Sequence, residues 1–322
     1  MKTIAITGAT GFIGKNLVAE LLRLGGFQIK LLSRTKSGYL NELTESGVVI
    51  VEGDLLDLQS LNGFLEKDCT VINLVYLWNA GECGNIAAIS NLLKACKTSG
   101  IRRLIHCSTA AVSGRVSDNF ITESTPCLPM TDYGIIKLKI EKVILEAAKD
   151  NFDVSIIRPT AVFGLGGKPL KKLAEDLRTK SWIINYLKSC LFGKRRMNLV
   201  NIANVVGAVV FLINRTENLH GETFIISDDD SQNNNFSYVE RFLMQALYIP
   251  DYIFPRLPVP LNFLTLMLGC LGRNNINPLC NYSSDKILGL GYERACSFET
   301  GLADYADWYR SAYMTEHESV VS

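Results

Sequence analysis

A chain of 322 residues, 48% of them hydrophobic, is long enough for one large α/β domain or two unequal ones around a sizeable core. With 33 basic against 32 acidic residues, the net charge of +1 gives no electrostatic ground for a nucleic-acid partner. Nine cysteines, odd in number and without a Cys-x-x-Cys pair, read as reduced thiols of a cytoplasmic protein, and three histidines at no metal-ligand spacing argue against a zinc site.

Thr3-Ile4-Ala5-Ile6 is an apolar β-prone run that leads into Thr7-Gly8-Ala9-Thr10-Gly11-Phe12-Ile13-Gly14. Apolar residues at helical spacing follow, from Phe12 to Leu22. Strand, glycine turn and helix in this order form a dinucleotide-binding opening, in which a pyrophosphate meets free N–H groups at a helix N-terminus. The same glycines interrupt any apolar core of a signal peptide.

A second strand, Phe27 to Leu32, ends in Ser33-Arg34-Thr35-Lys36. An acidic residue there would bind a ribose 2′-hydroxyl, whereas arginine among small polar residues suits a 2′-phosphate, so the pattern favours NADP, with NAD as the alternative. Short strands are predicted at Val48 to Val51 and Thr70 to Leu74. Asp54 and Asn73, at their ends, are placed either at the cofactor or as turn residues satisfying their own backbone. Asn85 to Lys97 has helical spacing closed by Gly100, and Leu104 to Cys107 is a fifth strand running into Ser108-Thr109. Five alternations with short connections predict an α/β fold with a doubly wound parallel sheet, a Rossmann domain over residues 1–165. Residues 166–322 are predicted to be mainly a smaller C-terminal substrate-binding lobe, with segments near 197–227 returning to the main sheet.

Tyr133-Gly134-Ile135-Ile136-Lys137 heads a long helix. Residues four apart share a helix face, so the Lys137 ammonium is expected to stabilise the Tyr133 phenolate, and such a phenol can pass a proton while hydride moves. With these motifs in place, the chain resembles the extended short-chain dehydrogenase/reductase superfamily, the NAD(P)-dependent sugar epimerases, dehydratases and ketoreductases. Further matching segments are Gly53-Asp54, Arg158-Pro159-Thr160-Ala161-Val162-Phe163-Gly164, Asn198 to Ala208 and the tail from Asp285 to Tyr309.

The resemblance implies that Tyr133 is the acid/base and Lys137 its partner and a ribose ligand. Thr109 falls on the catalytic Ser/Thr position with Ser108 as the fallback, and Asn85 on a helix asparagine that supports a relay water. It further implies cofactor contacts from Gly8, Thr10, Gly11, Phe12, Ile13, Gly14, Arg34, Asp54, Leu55, Asn73, Lys137 and Pro159. Relatives that dehydrate at C4 to C6 carry an acidic pair after the threonine; Ala110 and Ala111 stand here. Relatives that epimerise at C3 and C5 use a cysteine after the serine and a histidine that this chain lacks. What is left is hydride chemistry at one carbinol or ketone of a nucleotide sugar, by a 4-ketoreductase or a 4-epimerase in polysaccharide precursor synthesis. The alternatives are a reductase of an apolar alcohol of the steroid or flavonoid type, suggested by Asn204-Val205-Val206, and a non-catalytic NADP-binding protein.

In the second half, Arg195 or Arg196 is a candidate for a substrate diphosphate, against a solvated loop. Trp182, Tyr186, Phe192 and the Leu257 to Leu271 segment either line the pocket or form the lobe's core, and their helical spacing favours core. Leu257 to Gly272 is too short and too broken by Pro258, Pro260 and Asn262 to span a bilayer, and reads as a buried or interfacial helix. A homodimer is the expected assembly, paired through the helices at Asn85 to Lys97 and Tyr133 to Ala148.

Overall fold

The computed structural model describes residues 1–35, 38–114, 118–149, 151–257, 259–260 and 277–321, with side chains to residue 312. In chain order the first half comprises β1 (Lys2–Thr7), α1 (Phe12–Leu24), β2 (Phe27–Ser33), α2 (Tyr39–Glu45), β3 (Val49–Glu52), β4 (Thr70–Asn73), α3 (Gly81–Ser99), β5 (Arg103–Cys107), β6 (Phe120–Ile121), α4 (Asp132–Ala148), β7 (Asp153–Pro159) and β8 (Ala161–Phe163). There follow α5 (Lys168–Thr179), α6 (Trp182–Phe192), β9 (Leu199–Asn201), α7 (Ile202–Asn214), β10 (Glu222–Ile226), α8 (Phe236–Ala246), β11 (Asn281–Tyr282), α9 (Asp285–Gly289) and α10 (Phe298–Val321).

Seven strands pair in parallel in the order β10-β7-β5-β4-β1-β2-β3. Because successive strand residues point to opposite faces, Ile4 and Ile6 join Ile72 and Ile105 beneath α1 and α7, whereas Ala5 joins Val71 and Leu104 beneath α3 and α4. A sheet buried on both faces is the doubly wound arrangement. A third cluster, which includes Leu170, Leu243 and Leu302, packs α5, α8 and α10 together.

Two boundaries differ from the periodicity. The helix expected from Asn85 starts at Gly81, because Gly81-Glu82-Cys83-Gly84 offers no apolar repeat to reveal its first turn. The first segment expected to return to the main sheet, near 197, is β9, which begins after Asn198 in the left-handed region, and pairs with β8 rather than with the main sheet. Only the later return, β10, reaches the main sheet, beside β7. Of the apolar run expected at Leu257 to Gly272, residues 258 and 261–272 lie outside the described residues.

Candidate active site

Strand order reverses at β1 and β4, and a cleft of about 590 Å³ opens at the carboxyl ends of the strands there. Ligands of open α/β sheets collect at such a switch point. Gly8, Thr10, Gly11 and Ile13 of the glycine loop line it, with Arg34, Asp54 and Leu55 along one side, and Ser108, Thr109, Tyr133, Lys137 and Pro159 along the other.

The loop is shaped for close backbone approach. Gly8 has a φ of +81°, and a Cβ on Gly14 would stand 2.2 Å from the Gly8 carbonyl oxygen, so α1 can rest against the loop only through a glycine. Gly11 caps α1 with no side-chain hydrogen bond, and the first turn holds no acidic residue. Its N–H groups and positive dipole end therefore remain for an anion. These features fit a dinucleotide pyrophosphate. Phe12 and Gly14 serve the packing beneath the loop instead of the cleft wall.

The chemistry-bearing side chains come from two elements held close together. Thr131 caps α4 by accepting from the Gly134 N–H at 3.1 Å, and a Cβ on Gly134 would lie 2.8 Å from the Ala111 carbonyl oxygen. The turn after β5 and the head of α4 thus touch through a glycine, which brings Thr109 to Tyr133. Further along α4, Glu141 accepts from Arg158 Nε and Nη2 of β7 at 3.0 and 2.6 Å, a buried two-point bond that fixes the helix on the sheet. Thr109 Oγ1 accepts from the Ala111 N–H at 3.2 Å, so it both orders its own turn and faces Tyr133. Ser108 is buried, and its hydroxyl finds no partner among the described residues.

Tyr133 and Lys137 both line the cleft. Burial pushes the Tyr133 phenol up to about 12, the neighbouring Cys107 adds to this, and the Thr109 hydroxyl pulls partly back. Lys137 stands one helical turn from Tyr133 on α4. Its Nζ donates to the Cys107 carbonyl at 2.9 Å and lies 5.5 Å from the centre of the Tyr76 ring, and burial lowers its own pKa. Shared helix face fixes where a side chain starts, and the buried carbonyl fixes where this one ends.

Asn73 and Asn85 are not brought into the cleft. Asn73 accepts from the Thr7 hydroxyl at 2.7 Å and bonds His106 Nδ1 at 3.1 Å inside the sheet. Asn85 spends its amide on Leu77 N–H, Leu77 carbonyl and Gly81 carbonyl, all within 2.9 Å, and so folds the 77–81 loop. Asp54 accepts from the Leu56 N–H at 2.9 Å, a turn bond made at the cleft wall. Arg196 is likewise committed, to the carbonyls of Asp229, Ser231 and Gln232. Arg195 stacks 5.9 Å from the Phe192 ring.

Two residues that motif matching passes over stand beside the phenol. Trp78 stacks on the Tyr133 ring at 5.2 Å and 13°, and Tyr76 meets it edge-on at 4.8 Å. Their position just past β4, at the carboxyl edge of the sheet, is the signal that could have found them.

Comparison with known proteins agrees with this geometry. Residues 4–227 match the family model described as the NAD dependent epimerase/dehydratase family. The chain is 29% identical over 290 residues to a UDP-glucose 4-epimerase of Vibrio cholerae, covering 85% of this chain and 84% of that one. It is 27% identical over 278 residues to the N-acetyl-alpha-D-glucosaminyl-diphospho-ditrans,octacis-undecaprenol 4-epimerase of Escherichia coli O157:H7, covering 81% and 77%. Its fold resembles that of a Bacillus cereus UDP-glucuronic acid 4-epimerase solved with UDP-glucuronic acid and NAD (TM-score 0.73, 20% identity, 97% and 100% covered). A Thermus thermophilus UDP-glucose 4-epimerase solved with NAD also shares it (TM-score 0.69, 18% identity, 97% and 100% covered). The chain belongs to the NAD dependent epimerase/dehydratase family and is an NAD(P)-dependent enzyme of the short-chain dehydrogenase/reductase type.

Proposed function

We propose that this enzyme inverts one carbinol centre, C4, of a diphosphate-linked sugar, with Tyr133 as the acid/base. The observation that carries this reading is the meeting of Thr109, Tyr133 and Lys137 at the rim of a glycine-cradled cleft. A nicotinamide cofactor held by the loop supplies the hydride acceptor and donor. Tyr133 exchanges the proton of the substrate hydroxyl, and Thr109 and the unpartnered Ser108 hydroxyl hold that oxygen. With its phenol pushed up to about 12, Tyr133 is poised as a proton donor in the free protein. For the opposite transfer Lys137, one helical turn away, is the residue able to lower it once drawn from the Cys107 carbonyl. Ala110 and Ala111 supply no acid for elimination. The extensive matches to 4-epimerases favour inversion over net reduction.

The test incubates the protein with UDP-sugars and polyprenyl-diphosphate sugars and follows C4 inversion by NMR and cofactor absorbance together. Inversion without net cofactor change is expected. Stoichiometric cofactor consumption would instead identify a ketoreductase. Turnover of steroid or flavonoid ketones alone would overturn the sugar reading.

NADP is proposed as the preferred cofactor, because the exposed Arg34 lies on the cleft wall directly after β2, the place of an acidic residue for a ribose 2′-hydroxyl. Arg34→Ala is expected to weaken NADPH by roughly tenfold or more, the worth of a charged hydrogen bond, and NADH hardly at all. Fluorescence titration of both cofactors decides it, and equal weakening would remove the preference.

A further inference from the structure

Helix α6 turns its polar side in and its apolar side out. Asn185 and Ser189 are its buried residues. Asn185 Nδ2 donates to the Asp176 carbonyl at 2.9 Å, while Ser189 donates to Glu240 and accepts from Arg256 Nε at 2.8 Å. Trp182, Ile183 and Leu187 face outward, the last 60% exposed. The loop after α8 extends this surface: Phe254 stacks on Trp182 at 6.4 Å, the Tyr186 hydroxyl donates to the Pro255 carbonyl at 2.9 Å, and Ile253 and Leu257 are 85% and 66% exposed. Scattered apolar side chains on a surface need no explanation, but a contiguous patch marks a contact.

Charge says what the contact is with. Residues 168–196 hold nine basic and two acidic side chains, in a chain whose net charge is only +1. Lys180 and Lys188 share one carboxylate, Asp176, at 2.8 and 2.7 Å, and Lys194 follows α6 directly. An aromatic and aliphatic helix face carried on a segment with such a basic excess is the composition of a helix that lies in a membrane interface. A symmetric contact between two copies would set these basic segments against each other, since a two-fold interface pairs a surface with itself.

We propose that α6 and the loop at 253–257 dock this enzyme on the surface of an anionic lipid bilayer, as a peripheral contact with no span. Among the described residues no helix is long and apolar enough to cross a membrane. The test is flotation of the full-length protein with vesicles of phosphatidylcholine, alone or mixed with phosphatidylglycerol, at low and high salt. The protein should float with the mixed vesicles, float far less with phosphatidylcholine alone, and be released by salt. The double variant Ile183→Glu, Leu187→Glu should lower the floated fraction by about tenfold or more, with circular dichroism and melting unchanged, because both side chains already face solvent. Absence of flotation, or equal flotation of the variant, overturns the proposal. So does a wild-type dimer that the variant dissociates while neither binds vesicles, which would assign the patch to a second copy of the chain.

Discussion

Tyr133→Phe is expected to lose turnover by about 10²–10⁴-fold, the usual worth of a positioned proton-transfer group, while cofactor affinity stays nearly unchanged. The ring is held by Trp78 and Tyr76 through its faces and edge, so deleting the hydroxyl leaves the packing intact. Steady-state kinetics beside a cofactor titration check this, and unaltered turnover would end the assignment of Tyr133 as acid/base. A pH signature accompanies it. In the free protein burial raises the phenol from 10.0 to about 12, so it stays protonated through neutral pH, and the phenolate fraction grows tenfold per unit as pH rises towards that value. Tyrosine-selective ¹³C NMR of the free protein should therefore show no Tyr133 ionisation near pH 10. Lys137→Met, which removes a buried ammonium one helical turn from the phenol, should raise the apparent pKa of oxidative turnover with cofactor bound.

Much of the sheet was legible in the sequence because both of its periods are local. Ile4-Ala5-Ile6 alternates between two buried faces, and Phe12 to Leu22 repeats at helical spacing, so strand, loop and helix declare themselves within one stretch. The meeting of Thr109 with Tyr133 followed from the end of β5 and the head of α4, two elements whose motifs stand on their own. The aromatic cover was not legible in this way. Trp78 meets Tyr133 from a loop in which Asn85 ties down Leu77 and Gly81, a bond made across the loop by a residue whose motif points to another duty. Likewise the spacing of Trp182 and Tyr186 announces an apolar helix face without saying which way it looks. The inward partners of α6, Asp176, Glu240 and Arg256, come from three other segments, and they outbid the core for that face.

Stability should hinge on an ion pair at the opposite end of the sheet from the cleft. Arg103, almost wholly buried at the start of β5, donates through Nε to Asp153 of β7 at 2.6 Å and through Nη1 to the carbonyls of Leu212 and Arg215 at 2.7 and 2.9 Å. Its Nη2 donates to the Glu217 carbonyl, so one guanidinium closes the C-terminal end of α7 onto two central strands. Asp153 in turn accepts from the Leu219 and His220 N–H groups, which set the turn into β10. Arg103→Met leaves a buried carboxylate uncompensated and takes the guanidinium from the Leu212 and Glu217 carbonyls, while Arg102 still donates to the Arg215 carbonyl, a loss of about 3–5 kcal/mol. Asp153→Asn should cost less, because the amide keeps an acceptor for the turn and Arg103 keeps its carbonyls at the negative end of α7. Urea unfolding should therefore rank the midpoints wild type, then Asp153→Asn, then Arg103→Met. Turnover well below the unfolding midpoint should barely change in either variant, since neither residue reaches the cleft. The reverse order would mean that the carboxylate, and not the guanidinium's three carbonyl bonds, is what holds α7 to the sheet.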